Sequence, residues 1–321
     1  MYRWPVKAAL GAVLLAGALL SQTVIRVNVN LVRITATVKN KTGELVGTLG
    51  KEDFEIYDNG VRQELKVFSR QTELPLSIAL MVDTSGSTAK DLKYEIDSAA
   101  RFLKALLAEG NPEDTVALYS FNYDIRQERG FTHNYPSLEA RLKLLHGDAG
   151  TSLYDAVFFA SRDLEPREGR KVIVLVTDGG DTTSSRDLKS AMKEAQLADA
   201  VVYPVVVVPI TNDAGRNIGG EHALTLLAQG TGGRPFMPAV GAQLDRAFTD
   251  IITELRTQYL LGFYPQDVPP TKNPFHSLVV RVKAPDLQVS ARNGYYGESE
   301  GDAGSPGARI SITPDRKKNR Q

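Results

Sequence analysis

Four short stretches carry no interior charge: Leu76–Val82, Thr115–Phe121, Lys171–Thr177 and Ala200–Val208. A strand that is apolar along its whole length must be covered on both faces, and the segments between these runs can supply that cover. Ala89–Ala108 places Leu92, Ile96, Ala99, Leu103 and Leu106 on one helical face. Helical periodicity also marks Leu138–Leu145, Leu153–Leu164, Asp187–Ala198, Glu221–Ala228 and Leu244–Leu255. Ile125–Phe131 and Arg234–Met237 read as short additional strands. The alternation predicts an α/β unit over residues 75–256, built on a mostly parallel sheet.

The flanks read differently. Residues 24–72 alternate with period two and are rich in β-branched residues, and Asn40-Lys41-Thr42-Gly43 and Asp58-Asn59-Gly60 are turn signals. An Asn-Gly pair between strands predicts a tight hairpin. The β pattern returns over residues 257–297, in Tyr259–Tyr264, His276–Val282 and Val289–Arg292. The two flanks are expected to pack together as a β-sandwich-like domain into which the α/β unit is inserted. Residues 298–321 are rich in Gly, Ser, Pro and charge, a composition that cannot bury a core, and are expected to be disordered.

Residues 1–23 place Arg3 and Lys7 before the apolar run Ala8–Leu20, with the small residues Ala16-Gly17-Ala18 at its end. This is the pattern of a signal peptide, and the run is short for a membrane span. The expected location is secreted or periplasmic, with membrane attachment solely through an uncleaved signal. The 38 basic and 38 acidic residues balance, so nothing favours nucleic acid as a partner. The sequence has no cysteine, which excludes disulfides and thiolate metal sites and suits a bacterial envelope protein.

Chemistry-bearing residues gather at strand ends. Leu76–Val82 runs into Asp83-Thr84-Ser85-Gly86-Ser87, which sets one carboxylate and two hydroxyls on alternate residues. Such hard oxygen donors suit Mg²⁺ and related cations. Lys171–Thr177 runs into Asp178-Gly179-Gly180-Asp181, and Gly150-Thr151-Ser152 opens a helix between them. In an open α/β sheet, ligands bind beyond the carboxyl ends of the strands. Right-handed crossovers bring such ends to one edge.

These residues resemble the metal-ion-dependent adhesion site of the von Willebrand factor type A domain, an Asp-x-Ser-x-Ser string followed by a loop Thr and a strand-end Asp. All five positions are filled, by Asp83, Ser85, Ser87, Thr151 and Asp178. The resemblance implies a doubly wound sheet of six strands, mostly parallel with one antiparallel edge. It implies Mg²⁺, or Mn²⁺ or Ca²⁺, held by the three hydroxyls and, largely through water, by the two aspartates. It further implies a protein partner whose Asp or Glu carboxylate fills an open position on the metal. Phe54–Gly60, Tyr259–Tyr264 and Gly294-Tyr295-Tyr296 are similar to segments of a bacterial group of secreted proteins built around this module.

Blander roles fit some of these residues singly. Ser85, Ser87, Thr151 and Ser152 are good helix caps, and Asp178-Gly179 is an ordinary turn dipeptide. Asp155 and Asp181 are acids near the site that also suit first-turn positions. The four histidines show no metal-ligand spacing. Two other functions compete with adhesion. One is a structural envelope component with an incidental metal. The other is a serine acyl-enzyme using Ser87-Thr88-Ala89-Lys90, but Lys41-Thr42-Gly43 precedes that string instead of following it and no Ser-Asp-Asn element occurs. No catalytic residue is therefore expected.

Overall fold

In chain order the elements are β1 (Val32–Asn40), β2 (Phe54–Asp58), β3 (Val61–Gln63), β4 (Val67–Ser69), β5 (Leu76–Asp83), α1 (Leu92–Ala108), β6 (Thr115–Phe121), β7 (Ile125–Thr132), α2 (Tyr135–Leu142) and α3 (Leu153–Leu164). They continue with β8 (Arg170–Thr177), α4 (Leu188–Leu197), β9 (Ala200–Val206), α5 (Ile218–Thr231), α6 (Ala242–Thr257), β10 (Tyr259–Phe263), β11 (Phe275–Val282), β12 (Leu287–Ala291) and β13 (Gly294–Tyr296). This computed structural model describes residues 31–297 apart from 71–73, 89–90, 109, 208–216 and 270–272. The expected signal peptide and disordered tail lie outside the described residues.

The four uninterrupted apolar runs lie side by side as β6-β5-β8-β9, and the charged, half-exposed β7 adds to them in the order β7-β6-β5-β8-β9. The three pairings among β6, β5, β8 and β9 are parallel, and β7 closes one edge antiparallel to β6. All eight residues of β5 are buried, because helices cover both faces. Leu76, Ile78, Leu80 and Val82 point to the layer made by α1, α2 and α6. Ala79 and Met81 point to α3, α4 and α5. The period-two alternation of a strand thus divides one apolar run between two cores.

Among the described residues this sheet has five strands, and the position expected for a sixth, Arg234–Met237, is reduced to a single bridge. Phe236 donates to the Pro204 carbonyl at 2.8 Å and accepts from the Val206 N–H at 2.7 Å. The next ladder bonds would need N–H donors from Pro204 and Pro238, and proline has none. The ladder stops at both ends for that reason.

The flanks build two four-stranded antiparallel sheets, β12-β1-β10-β4 and β13-β11-β2-β3. Each mixes strands from before and after the α/β unit, and they share one core that includes Ile34, Ile56, Tyr259, Phe263 and Leu278. Asn59 and Gly60 take left-handed φ values of 47° and 83°, which a two-residue hairpin turn between β2 and β3 requires. Asp58 is wholly buried at the end of β2. Its carboxylate accepts from the Tyr295 hydroxyl at 2.6 Å and lies 2.9 Å from His276 Nδ1, so β13 and β11 are both tied to β2.

The sandwich is locked to the α/β unit through buried Glu254 on α6. One carboxylate oxygen accepts from Lys39 Nζ of β1 at 3.0 Å and Arg234 Nε at 2.8 Å, and the other from the Tyr203 hydroxyl of β9 at 3.1 Å. No helix among the described residues is long and apolar enough to cross a membrane.

Tyr295→Phe should destabilise the chain by about 1–3 kcal/mol, because it strips a donor from a buried carboxylate. Urea denaturation followed by circular dichroism measures this, and a change within error would contradict the tie assigned to Asp58.

Candidate metal centre

Asp83 ends β5 at the carboxyl edge of the sheet, and its side chain is fully buried. Both oxygens are pinned by uncharged donors. The Ser85 N–H donates to Oδ1 at 2.8 Å, and the Thr177 hydroxyl at the end of β8 donates to Oδ2 at 2.6 Å. Thr177 Oγ1 in turn accepts the Gly179 N–H at 3.1 Å. Gly179 has a φ of +102°, and the strand-end turn depends on that conformation. Thr88 folds the chain back by donating to the Asp83 and Ser85 carbonyls at 3.1 and 2.9 Å. The two loop hydroxyls, buried Ser85 and exposed Ser87, then meet at 3.1 Å.

Three loops are stitched into a closed triangle. The Asp83 loop reaches the Asp178 loop through Thr177 and Asp83. It reaches the Thr151 loop through the Asp148 N–H, which donates to the Thr84 carbonyl at 2.8 Å. The Thr151 and Asp178 loops are joined by a reciprocal pair: Thr151 N–H to Thr182 Oγ1 at 3.0 Å, and Thr182 N–H to the Thr151 carbonyl at 2.9 Å. Asp83, Ser85, Ser87, Thr151 and Asp178 therefore stand on three loops that hydrogen-bond to one another.

Electrostatics set this edge apart. Burial pushes the Asp83 carboxyl up to about 6; the bonds from Thr177 and Ser85 oppose this, and Asp178 adds to it. Burial likewise raises Glu95 on α1 to about 8, with Asp83, Asp178 and Asp91 contributing. Glu95 is 1% exposed, and its Oε2 has no hydrogen-bond partner. Three carboxylates thus repel one another where no basic side chain bonds to Asp83 or Glu95 among the described residues. A cation fits that deficit. No group of three or more His, Asp or Glu able to hold a metal occurs among the described residues, so a metal here must rely on hydroxyl donors as well. The donor set, two carboxylates and three hydroxyls, is all hard oxygen.

Asp155 and Asp181 build loops. Asp155 accepts the Ser185 N–H at 2.8 Å, the Ser185 hydroxyl at 2.9 Å and Arg186 NH1 at 3.1 Å. Asp181 accepts the Ser184 hydroxyl at 2.5 Å and the Tyr154 N–H at 3.3 Å. Thr177 and Glu95 were not anticipated from the sequence. Thr177 had a signal, a hydroxyl directly before Asp178 in a strand expected to neighbour Leu76–Val82. Glu95 had none beyond being an acid one turn into a helix.

Residues 78–180 match the family model of the von Willebrand factor type A domain. That stretch contains all five candidate residues. Among solved structures, the chain is similar to the vWF domain of the type V pili tip protein Mfa5 from Porphyromonas gingivalis, at 16% identity over 57% of this chain and 95% of that one, with a TM-score of 0.47. It is also similar to an aerotolerance-related membrane protein from Bacteroides fragilis, at 23% identity over 56% and 98%, TM-score 0.44. A third is the PilB minor pilin from Streptococcus sanguinis, at 16% identity over 58% and 62%, TM-score 0.45. No curated protein matches the chain.

A carboxyl whose folded pKa is raised favours folding below its unfolded value and loses that contribution as pH rises through the folded one. In chelator, stability should therefore fall between about pH 4 and pH 6 on account of Asp83, whose ordinary value is 3.8. Asp83→Asn should remove this component and raise the stability of the metal-free chain at pH 8 by on the order of 2 kcal/mol. Thermal melts in EDTA across pH 4–9 read both effects.

Proposed function

We propose that this protein is a non-catalytic binding module that captures a carboxylate of a protein partner through a divalent cation at the Asp83 edge. The observation that carries the reading is the buried Asp83 carboxylate, held on both oxygens by neutral donors beside two further acids, with no basic partner among the described residues. A buried charge left in that state is costly, and a divalent ion removes the cost.

Asp83, Ser85, Ser87, Thr151 and Asp178 would hold the ion. Mg²⁺ or Mn²⁺, or Ca²⁺ with more ligands, would supply positive charge and a position for an external carboxylate. Two aspartates formally balance a divalent ion, but acting largely through water they would leave the metal electrophilic enough to take an acidic visitor. The chain's own residues shape the approach. Tyr123, whose N–H bonds to the Ala149 carbonyl of the Thr151 loop, is 70% exposed. Ile218, at the start of α5 beside the Gly179–Gly180 turn, is 75% exposed. Both offer apolar contact to a protein surface flanking the metal. The type A match supports a protein-interaction role, and the signal-like residues 1–23 support a secreted or periplasmic setting. Ser87 meets Ser85 instead of a base, which gives no support to an acyl-enzyme. Lys90 lies outside the described residues.

In the purified chain, Mg²⁺ at a hundredfold excess over its Kd should stabilise by about 2.7 kcal/mol. EDTA should reverse the gain, and Asp83→Ala or Ser85→Ala should abolish it. Capture of a partner from envelope extract should show the same dependence. Stability and capture that ignore both chelator and these variants would rule the reading out and leave a structural role in the envelope.

A further inference from the structure

A cationic cavity lies at the opposite end of the sheet from Asp83. Where the amino ends of β8 and β9 meet the sandwich, a cavity of about 50 Å³ is lined by Arg33, Arg170, Lys171 and Arg292, with Asp199 its one acidic lining residue. A single water needs about 10–15 Å³ on this scale, so the space suits one small oxyanion. We propose that this junction binds a small oxyanion, phosphate-like or carboxylate, that bridges the α/β unit and the sandwich.

Charge and hydrogen-bond donors are both left unmet at this junction. Arg170 is 6% exposed and Arg292 is 9% exposed, and the Nε–H of each is buried without a hydrogen-bond partner. The terminal nitrogens of Arg170 donate to the Leu255 carbonyl at 2.5 Å and to Gln258 Oε1, both uncharged. No ion pair neutralises Arg170 among the described residues, and burial lowers its pKa to about 10. Lys171 Nζ donates to a backbone carbonyl, that of Glu165, at 2.6 Å. Arg292 is paired with Asp199 and also donates to the Arg33 carbonyl at 2.7 Å.

The charges do not balance. Four cations face Asp199 and the carboxyl ends of α4 and α5, represented in the lining by Gln196 and Thr231. Each helix end supplies about half a negative charge, which leaves an excess of about two positive charges. The chain as a whole is neutral, so this excess is local. A buried cation without a counter-charge costs more than almost any other side-chain arrangement, and an oxyanion answers with both charge and acceptors. Arg33 and Arg292 come from the sandwich strands' segments and Arg170 and Lys171 from β8, so a ligand there would touch both parts of the fold.

The test is a thermal titration of the full chain in EDTA, with sodium phosphate or sodium acetate exchanged against sodium chloride at constant ionic strength. EDTA silences the Asp83 edge, so the result is independent of the proposed metal role. A saturable rise in midpoint with phosphate alone supports a phosphate-like ligand, and a rise with both anions supports a carboxylate source as well. Arg33→Ser and Lys171→Ser alter the rim and should leave the midpoint in chloride near that of the parent. Each should weaken the apparent affinity by about tenfold, the loss of one charge-assisted contact. Isothermal titration calorimetry with phosphate should give one site per chain. Equal rises with chloride, or titrations undiminished in both variants, would overturn the proposal.

Discussion

Val82 lies beside Val176 in the parallel pairing of β5 with β8, and the carboxyl edge follows from that register. One residue further on, Asp83 faces Thr177, close enough for a 2.6 Å hydrogen bond. Because both strands are covered on two faces, neither can slip without turning its apolar residues into the wrong layer. The register is fixed by packing along the whole strand, and the loops inherit their positions from it. A carboxylate is thereby kept inside the protein with hydroxyl and amide donors as its partners. That placement is what makes a cation the missing element at this edge.

Much of the fold is readable from where apolar residues fall. The buried strands appear as uninterrupted runs, and α3 occupies the residues its periodicity marks, Leu153–Leu164. α2 begins three residues earlier than its periodicity alone suggests, since Asn134 caps it through the Ser137 N–H and Pro136 sits in its first turn. The would-be sixth strand has the right residues, but the prolines that shorten it act on its partner strand and just beyond its own end. Thr177 and Glu95 were harder to see. Their significance depends on which strands and helices are neighbours, and no local pattern encodes that. The candidate residues themselves came from a spaced motif in three segments, and the structure adds how the loops carrying them are joined.

Polar groups buried between packed layers hold the two parts of the molecule together. Glu254 gathers donors from β1, β9 and the segment leading to Phe236, and its neighbour Gln258 donates to Thr37 and Tyr203 at 2.9 and 2.8 Å. Such networks are stabilising when every member is satisfied and costly when one is not. The Glu254 cluster is well supplied with partners. The arginine pair across the same junction is not, and that contrast singles it out among the buried charges.

The α/β unit leaves the sandwich from β4 and returns to β10, and these two strands are paired, Ser69 opposite Leu260. Entry and exit are therefore adjacent, like both ends of a strap fixed to one buckle. Tension on the inserted unit would draw β4 and β10 lengthwise together. The ladder from β10 to β1 spans five paired residues and would be loaded in shear, its bonds sharing the pull instead of opening one after another. A module tethered in this way can be tugged at its far edge while the sandwich that carries it stays closed.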